Sequence, residues 1–599
     1  MKGIKLLANS LSLVGCLLLI GGTGREPGLL ATHAESTIMC DARFTRPSKL
    51  GKSGIVFHAA AAVLIAIFLY WIATLNWRQH FIATHSTDYD ACEFGAKGDG
   101  IAKDTSALQE AIDLASARGG GVVVFPTGRY ISGTLHLRSN VSLRLSEDAV
   151  LIASTDDADF DPYEAPPSGS ISPTPISWTF ANQYRHRQVS RFSSRVLHET
   201  VDNPDTTYTH YSLIVGDHVS NVTIEGPGTI DGHRSRRGGL KLIALKNCRH
   251  ITIRGLTLRN APSYNISLIG SEDADLENLR IINGYADGID PDNSRFVRIA
   301  NCYIDTWDDA ICAKASLALG RRLATENLVV TNCILRTSNA GFKFGTESEG
   351  GLRKVSLRDC VVTRRDFGRR PMTGVEIESV DGGKVMEVAI LNVVMRGVRT
   401  PVFLRLGNRG RGMIEPRPGD MRNISISNVM VLDSSEPSSI TGLPGFPIHD
   451  VTLSNFTVSE AGAGISAGLE VPELPQDYPF GGMFGALPAY SLYGRHVDGL
   501  TIRNWRTRWQ SPDVRPAAVF DHVSNLQIVG FHAAAAAGQK AVILLDHVSK
   551  AMILTAAHES TASMVKGNTD RTVAVRRRTV LSSARRRPGS TIENGKAER

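Results

Sequence analysis

From Asp90 onward the chain repeats one short unit, and that periodicity limits its possible folds more than any other feature. Each unit is a β-branched strand with alternating residues, followed by a turn rich in Asn, Asp or Gly. Examples are "SNVTIEGPGTIDG", "CRHITIRGLTLRN", "SRFVRIANCYIDTWDDAICAKAS", "MRNISISNVMVLDS" and "HDVTLSNFTVSEAG". The units recur mostly every 22 to 36 residues. That is too long for hairpins, too short for strand–helix–strand crossovers, and nearly free of helical periodicity. The pattern predicts an all-β, single-domain, right-handed parallel β-helix whose coils stack at about 4.8 Å.

The repeat also explains the cysteines. Cys248, Cys302, Cys333 and Cys360 each follow a polar residue, and the equivalent places in later coils hold Val393, Val429, Phe456 and Trp505. A place that accepts Cys, Val, Phe or Trp is an interior packing position. No CxxC pair or His/Cys cluster suggests zinc, and no metal or other cofactor is expected. The stretch "ALQEAIDLASARGGG" departs from the repeat. Leu108, Ala111, Ile112 and Ala115 have helical spacing, so a short helix is expected to cap the first coil. A Pro/Ser-rich insertion between about 152 and 210, and the stretch "LEVPELPQDYPFGGMFGALPAYSLYGRH", read as long loops walling a groove.

The two ends differ from the middle. Residues 1–89 read as a targeting region, 90–555 as the catalytic β-helix and 556–599 as a basic, disordered tail. The segment "GIVFHAAAAVLIAIFLYWIATLNW" is long enough to cross a bilayer. Arg43, Arg46, Lys49 and Lys52 precede it, which places the large remainder outside the cytoplasm. A second apolar segment, "LLANSLSLVGCLLLIGG", lies upstream, and a start at Met39, or a first segment that is not inserted, would leave a single signal or anchor. Export to the periplasm or the exterior, with membrane attachment through this segment, is the expectation. From Lys566 to the end there are ten Lys/Arg and three Asp/Glu, which accounts for the whole formal net charge of +7. The rest of the chain is near neutral, so no nucleic-acid partner is expected. A monomer is.

"NGYADGIDPDNS" carries Asp287, Asp290 and Asp292, and "DTWDDAIC" carries Asp308 and Asp309. Asp287 lies 21 residues before Asp308 and 22 before Asp309, about one coil. Carboxylates one coil apart stack on one face and raise each other's pKa, so one can keep a proton while another ionises. Glycoside hydrolysis needs such a pair. Asp308 and Asp309 cannot both face a groove from a regular strand and must sit at a bend. Asp290 and Asp292 read as turn and ladder residues.

"DGID", "DDAICAK" and "GFKFGTESEGG", in that order, together with "NVTIEGPGTIDG" and "CEFGAKGDGIAKDTSALQEAI", resemble glycoside hydrolase family 28, the polygalacturonase and rhamnogalacturonase group. The resemblance covers about residues 90 to 535. It implies an inverting hydrolase on a parallel β-helix, with Asp308 as general acid and Asp287 and Asp309 activating water. Departures from the family pattern mark an atypical bacterial branch. Tyr285 stands where the family has Asn. Ala340 occupies the His position, with Lys343 just beyond it. Glu376 and Glu378 stand where an Arg and a Lys grip a uronate. Such a charge reversal repels a uronate unless Lys343, Arg405 or Arg409 compensates, or the subsite takes a neutral sugar. Tyr285, Lys343, Glu376, Glu378 and Arg405 are therefore the expected substrate-binding residues. Lys314 reads as an exposed strand lysine, and Glu347 and Glu349 as either solvated turn residues or sugar contacts. The competing functions are a cation-dependent β-helix polysaccharide lyase and a non-catalytic polysaccharide-binding solenoid.

Overall fold

Alternation decides which way each strand faces. In Val141–Leu145 the apolar residues 141, 143 and 145 are buried, while Ser142 and Arg144 reach outward. Parallel pairing then sets each inward residue on its equivalent in the next coil. Leu143 pairs with Ile224, Ile224 with Ile253, Ile253 with Leu276, Leu276 with Ile299 and Ile299 with Val330. The column continues through Leu357, Ile390, Ile426, Leu453, Ile502 and Ile528. The result, in the computed structural model, is a right-handed parallel β-helix with one continuous apolar interior. Residues 88–164, 206, 208–464, 470–537, 539, 541–556, 563–569 and 574–578 are described.

The cysteine column lies inside as its neighbours suggested. Cys360 pairs with Val393, Val393 with Val429, Val429 with Phe456 and Phe456 with Trp505. The Phe456 and Trp505 rings stack with centroids 4.4 Å apart. All the cysteines among the described residues are free thiols, and Cys92 alone of them is exposed. The helix Thr105–Ala117 buries Leu108, Ala111, Ile112 and Ala115 against the first strands. The second loop excursion folds Val471, Phe484, Leu487 and Ala489 onto Phe403, Tyr493 and Val519 on the outer face of the later coils.

One expectation needs adjusting. Strands Ser563–Thr569 and Ala574–Arg578, within the stretch expected to be a tail, pair in parallel with Ala541–Val548 and Met552–Ala556. Val565 in the first of them pairs with Ile543 and packs against the apolar interior. The apolar N-terminal segments, most of the Pro/Ser-rich insertion and the last stretch of basic residues lie outside the described residues. Among the described residues no helix is long and apolar enough to cross a membrane.

The coils turn at asparagines in the left-handed region. Asn301, Asn332, Asn392, Asn428, Asn455 and Asn504 have φ between +52° and +57°. Asn tolerates this conformation better than other side-chain-bearing residues. Their amides form a ladder: Asn332 donates to Asn301 at 2.7 Å, Asn428 to Asn392 at 3.0 Å, Asn455 to Asn428 at 2.8 Å and Asn504 to Asn455 at 2.9 Å. Asn428→Ala and Asn428→Gly both lose these bonds, but only Ala also pays for the left-handed backbone. Ala is therefore expected to be the more destabilising by about 1 kcal/mol, read from denaturant midpoints.

Candidate active site

The strand Tyr303–Thr306 ends just before Trp307, and Ile311–Ala313 begins the next sheet. The bend between them carries Asp308 and Asp309, and Thr306 Oγ1 ties it by donating to the Asp308 carbonyl at 2.8 Å. Asp287 occupies the equivalent bend one coil earlier. The Gly288 amide donates to the Asp309 carbonyl at 2.9 Å, so the two bends are stacked by their backbones. The Asp309 amide in turn donates to Asp287 Oδ1 at 3.2 Å. The 22-residue spacing thus becomes direct contact.

Each carboxylate has a distinct set of partners. Asp308 is the most open of the three, with its side chain 21% exposed. Arg237 Nη1 donates to its Oδ2, and Asn339 Nδ2 to its Oδ1 at 2.8 Å. The same Asn339 nitrogen reaches Asp309 Oδ1 at 2.8 Å, and the Ala340 amide donates there at 2.9 Å. Asp287 Oδ2 accepts from Lys314 Nζ at 2.9 Å. Lys314 also binds Asp290 and lies 4.2 Å from the Tyr264 ring centroid. Asp309 Oδ2 is 3.9 Å from Lys343 Nζ, which is 3.0 Å from Glu376 Oε1 and 3.9 Å from Glu378 Oε2. Gly345 leaves room for this arrangement, because a Cβ there would sit 2.9 Å from Glu378 Oε2.

Burial and neighbouring charge separate the proton affinities. Burial pushes Asp309 up to about 8; Lys343 opposes this, and Asp308, Asp287 and Glu376 reinforce it. Burial also acts to raise Asp308, but the Arg237 guanidinium, helped by Lys343 and the Asn339 hydrogen bond, outweighs it and holds Asp308 below the ordinary carboxylate value. Burial raises Asp290 and Glu378 well above theirs. Lys314 and Lys343 are raised despite burial, because carboxylates surround them. Six acids here face three cations. The protons favoured on Asp309, Asp290 and Glu378 bring the cluster towards neutrality.

Several expected residues behave differently from their reading in the sequence. Lys314 is buried rather than exposed. Glu347 and Glu349 are buried too, and Glu347 pairs with Arg411 at 3.0 Å, which holds it down to about 2 against the effect of burial. Glu376 and Glu378 do not present bare charge to a ligand, since Lys343 lies between them and Thr373 Oγ1 donates to Glu376. Arg405 is not brought to the aspartates. It is buried, and its guanidinium donates to the carbonyls of Glu473 at 2.6 Å and Leu474 at 2.9 Å, anchoring the second loop. Arg409 is held by Asp381 at 3.0 Å and by the Thr346 carbonyl at 2.7 Å. Asp290 sits in the strand Ile289–Asp292, and Asp292 accepts from the Ser316 amide at 2.8 Å.

Tyr285 is half-buried, and its hydroxyl accepts from Asn283 at 3.1 Å. Asn283 also accepts from Trp307 Nε1 at 3.1 Å, and Arg365 stacks 4.2 Å from the Trp307 ring centroid. Trp307, Asn339 and Arg237 were not among the expected residues. Trp307 adjoins the paired aspartates in "TWDD", and Asn339 precedes the Ala340 substitution; Arg237 carried no signal beyond the basic run "HRSRRGG".

Among the described residues, two groups have ligand types suited to a metal. Asp287, Asp309 and Cys312 offer atoms within 4.8 Å of one another, but Lys314 already supplies positive charge there. Asp521, His522 and His547 form the other group. The His522 and His547 rings stack at 4.5 Å and 15°, so their in-plane lone pairs run side by side rather than converging.

The chain matches the model of glycosyl hydrolases family 28 over residues 193–471, which spans these bends. A Vitis vinifera protein named "Probable polygalacturonase" is 27% identical over 388 residues, covering 61% of this chain and 73% of the relative. An exo-poly-alpha-D-galacturonosidase of Dickeya chrysanthemi is 24% identical over 404 residues, covering 61% of this chain and 66% of the relative. Among solved structures, an exopolygalacturonase from Thermotoga maritima shares the fold, with a TM-score of 0.50 and 19% identity over 63% of this chain and 88% of that one. Residues 193–471 thus resemble glycosyl hydrolases family 28, and these matches support O-glycosyl hydrolase activity.

Proposed function

We propose that the protein hydrolyses glycosidic bonds in a pectin-type polysaccharide containing galacturonic acid, with inversion at the anomeric carbon. Asp308 donates a proton to the leaving oxygen, and Asp287 and Asp309 take one from the attacking water. The observation that carries this reading is the meeting of three carboxylates from two stacked bends, one open and two buried, with Asn339 bridging Asp308 and Asp309. Unequal environments are what divide acid from base among like groups. Tyr285 and Trp307 give the sugar an aromatic wall beside Asp308, since a pyranose packs its C–H face on such rings. Lys343, Glu376 and Glu378 set the charge beneath Asp309, and Arg405 fixes the loop that bounds the groove. A polymer of this kind has to be met outside the cytoplasm, in keeping with the N-terminal apolar segments acting as export signals.

Asp308→Asn should lower reducing-sugar release from polygalacturonate by at least about 100-fold while leaving the thermal midpoint nearly unchanged. A variant retaining a tenth of the activity would remove Asp308 from the role of acid. Proton NMR of the first product should show the anomer opposite to the substrate linkage; retention would reject the inverting reading.

Lys343→Met leaves Glu376 and Asp309 without their buried cation. At neutral pH a loss of about 3–5 kcal/mol of stability is expected. The deficit should shrink on acidification. Carboxylates raised in the folded variant bind protons that the unfolded chain does not, so the variant gains stability as pH falls. Thermal midpoints at pH 4.5 and 7.5 check the sign.

A further inference from the structure

The free site holds its protons in an order unsuited to the proposed chemistry. A general acid must carry a proton, yet Asp308 is ion-paired with Arg237 and the favoured proton lies on Asp309. The two carboxyls are bridged by one amide nitrogen, that of Asn339, and act as a pair. Whatever removes Arg237 from Asp308 therefore also decides which of the pair is protonated.

Arg237 is placed to be removed. Lys314 and Lys343, the other two cations of the cluster, are buried, with side chains only 4% exposed. Arg237 is 40% exposed and comes from a loop 71 residues upstream, beside Arg234 and Arg236. It reaches Asp308 at the open edge of the cluster. On the strand Thr373–Ser379, by contrast, Glu376 and Glu378 leave no cation to grip an anion. A guanidinium exchanging one carboxylate for another keeps its charge-assisted bonds, so the transfer costs little.

We propose that Arg237 recognises the carboxylate of a substrate uronate, and that by leaving Asp308 for that carboxylate it frees Asp308 to act as the acid. This rests on Asp308 being the acid. The proton count of the pair is conserved: one proton leaves Asp309, passes through solvent and binds Asp308. Asp309 is then a carboxylate beside Asp287, able to accept a proton from the attacking water. The charged groups facing Asp308 are Arg237 from the loop, Lys343 from Ala340–Phe344 and Asp309 on its own bend, while Asp287 from the coil before acts on Asp309. Only Arg237 changes partner. A methyl-esterified sugar cannot draw it away, so the free acid is preferred through turnover as well as binding.

The test compares pH profiles of the wild type and Arg237→Gln on oligogalacturonate and its methyl ester. kcat/KM reports the free enzyme and kcat the complex. The alkaline limb follows loss of the proton from Asp308, so in the wild type the kcat limb should lie at higher pH than the kcat/KM limb. In Arg237→Gln the kcat/KM limb should move up to join it. kcat/KM on the free acid should fall by roughly 10- to 100-fold, with turnover of the methyl ester improved. Arg237→Lys, which keeps the charge, should retain the preference for the acid. Unmoved limbs, or an equal loss on both substrates, would overturn the proposal. Activity surviving in Asp308→Asn would instead reject the underlying assignment of the acid, whatever the limbs do.

Discussion

In-register parallel stacking governs everything else in this molecule. Backbone hydrogen bonds between coils put each side chain directly on its equivalent one coil away, at about 4.8 Å. For the inward residues this is wholly favourable. Leu, Ile and Val meet their own kind along the aliphatic column, and the Cys-to-Trp column widens smoothly towards Phe456 and Trp505. At the turns the same rule stacks Asn on Asn, where the amide donates to one neighbour and accepts from the other. At the bends it stacks Asp287 on Asp309, where like charges meet and the arrangement has to be compensated.

That compensation shapes the site. Buried lysines enter from adjacent rows, Lys314 against Asp287 and Asp290, and Lys343 against Glu376. Protons held by Asp309, Asp290 and Glu378 offset the remainder. The exchange of an Arg and a Lys for Glu376 and Glu378 is therefore linked to Lys343. A cation placed one coil earlier, against Asp309, is balanced by glutamates on the next. The buried charges form one interdependent set, and the most exposed member, Arg237, is the one whose partner can change.

Much of this was legible in the sequence because the repeat converts distance along the chain into distance in space. The 22-residue interval announced the contact of Asp287 with Asp309. The residues following "NC" and "DC" announced an interior column, and the spacing of Leu108, Ala111, Ile112 and Ala115 announced a capping helix. Where the rule has no purchase, the sequence reading was weaker. Glu347 resembles a turn residue until Arg411 is seen beside it. Arg405 sits in register above Glu378, yet its guanidinium turns to the carbonyls of a loop.

The sequence by itself determined the fold class, the contents of the columns and the three aspartates, since all follow from strand alternation and coil length. Tertiary structure alone decided which charges are buried, which aspartate holds the proton and that Arg237 reaches Asp308. These depend on how irregular loops fold back on the coils. A loop's path has no period, so nothing in residue spacing reports where its side chains end.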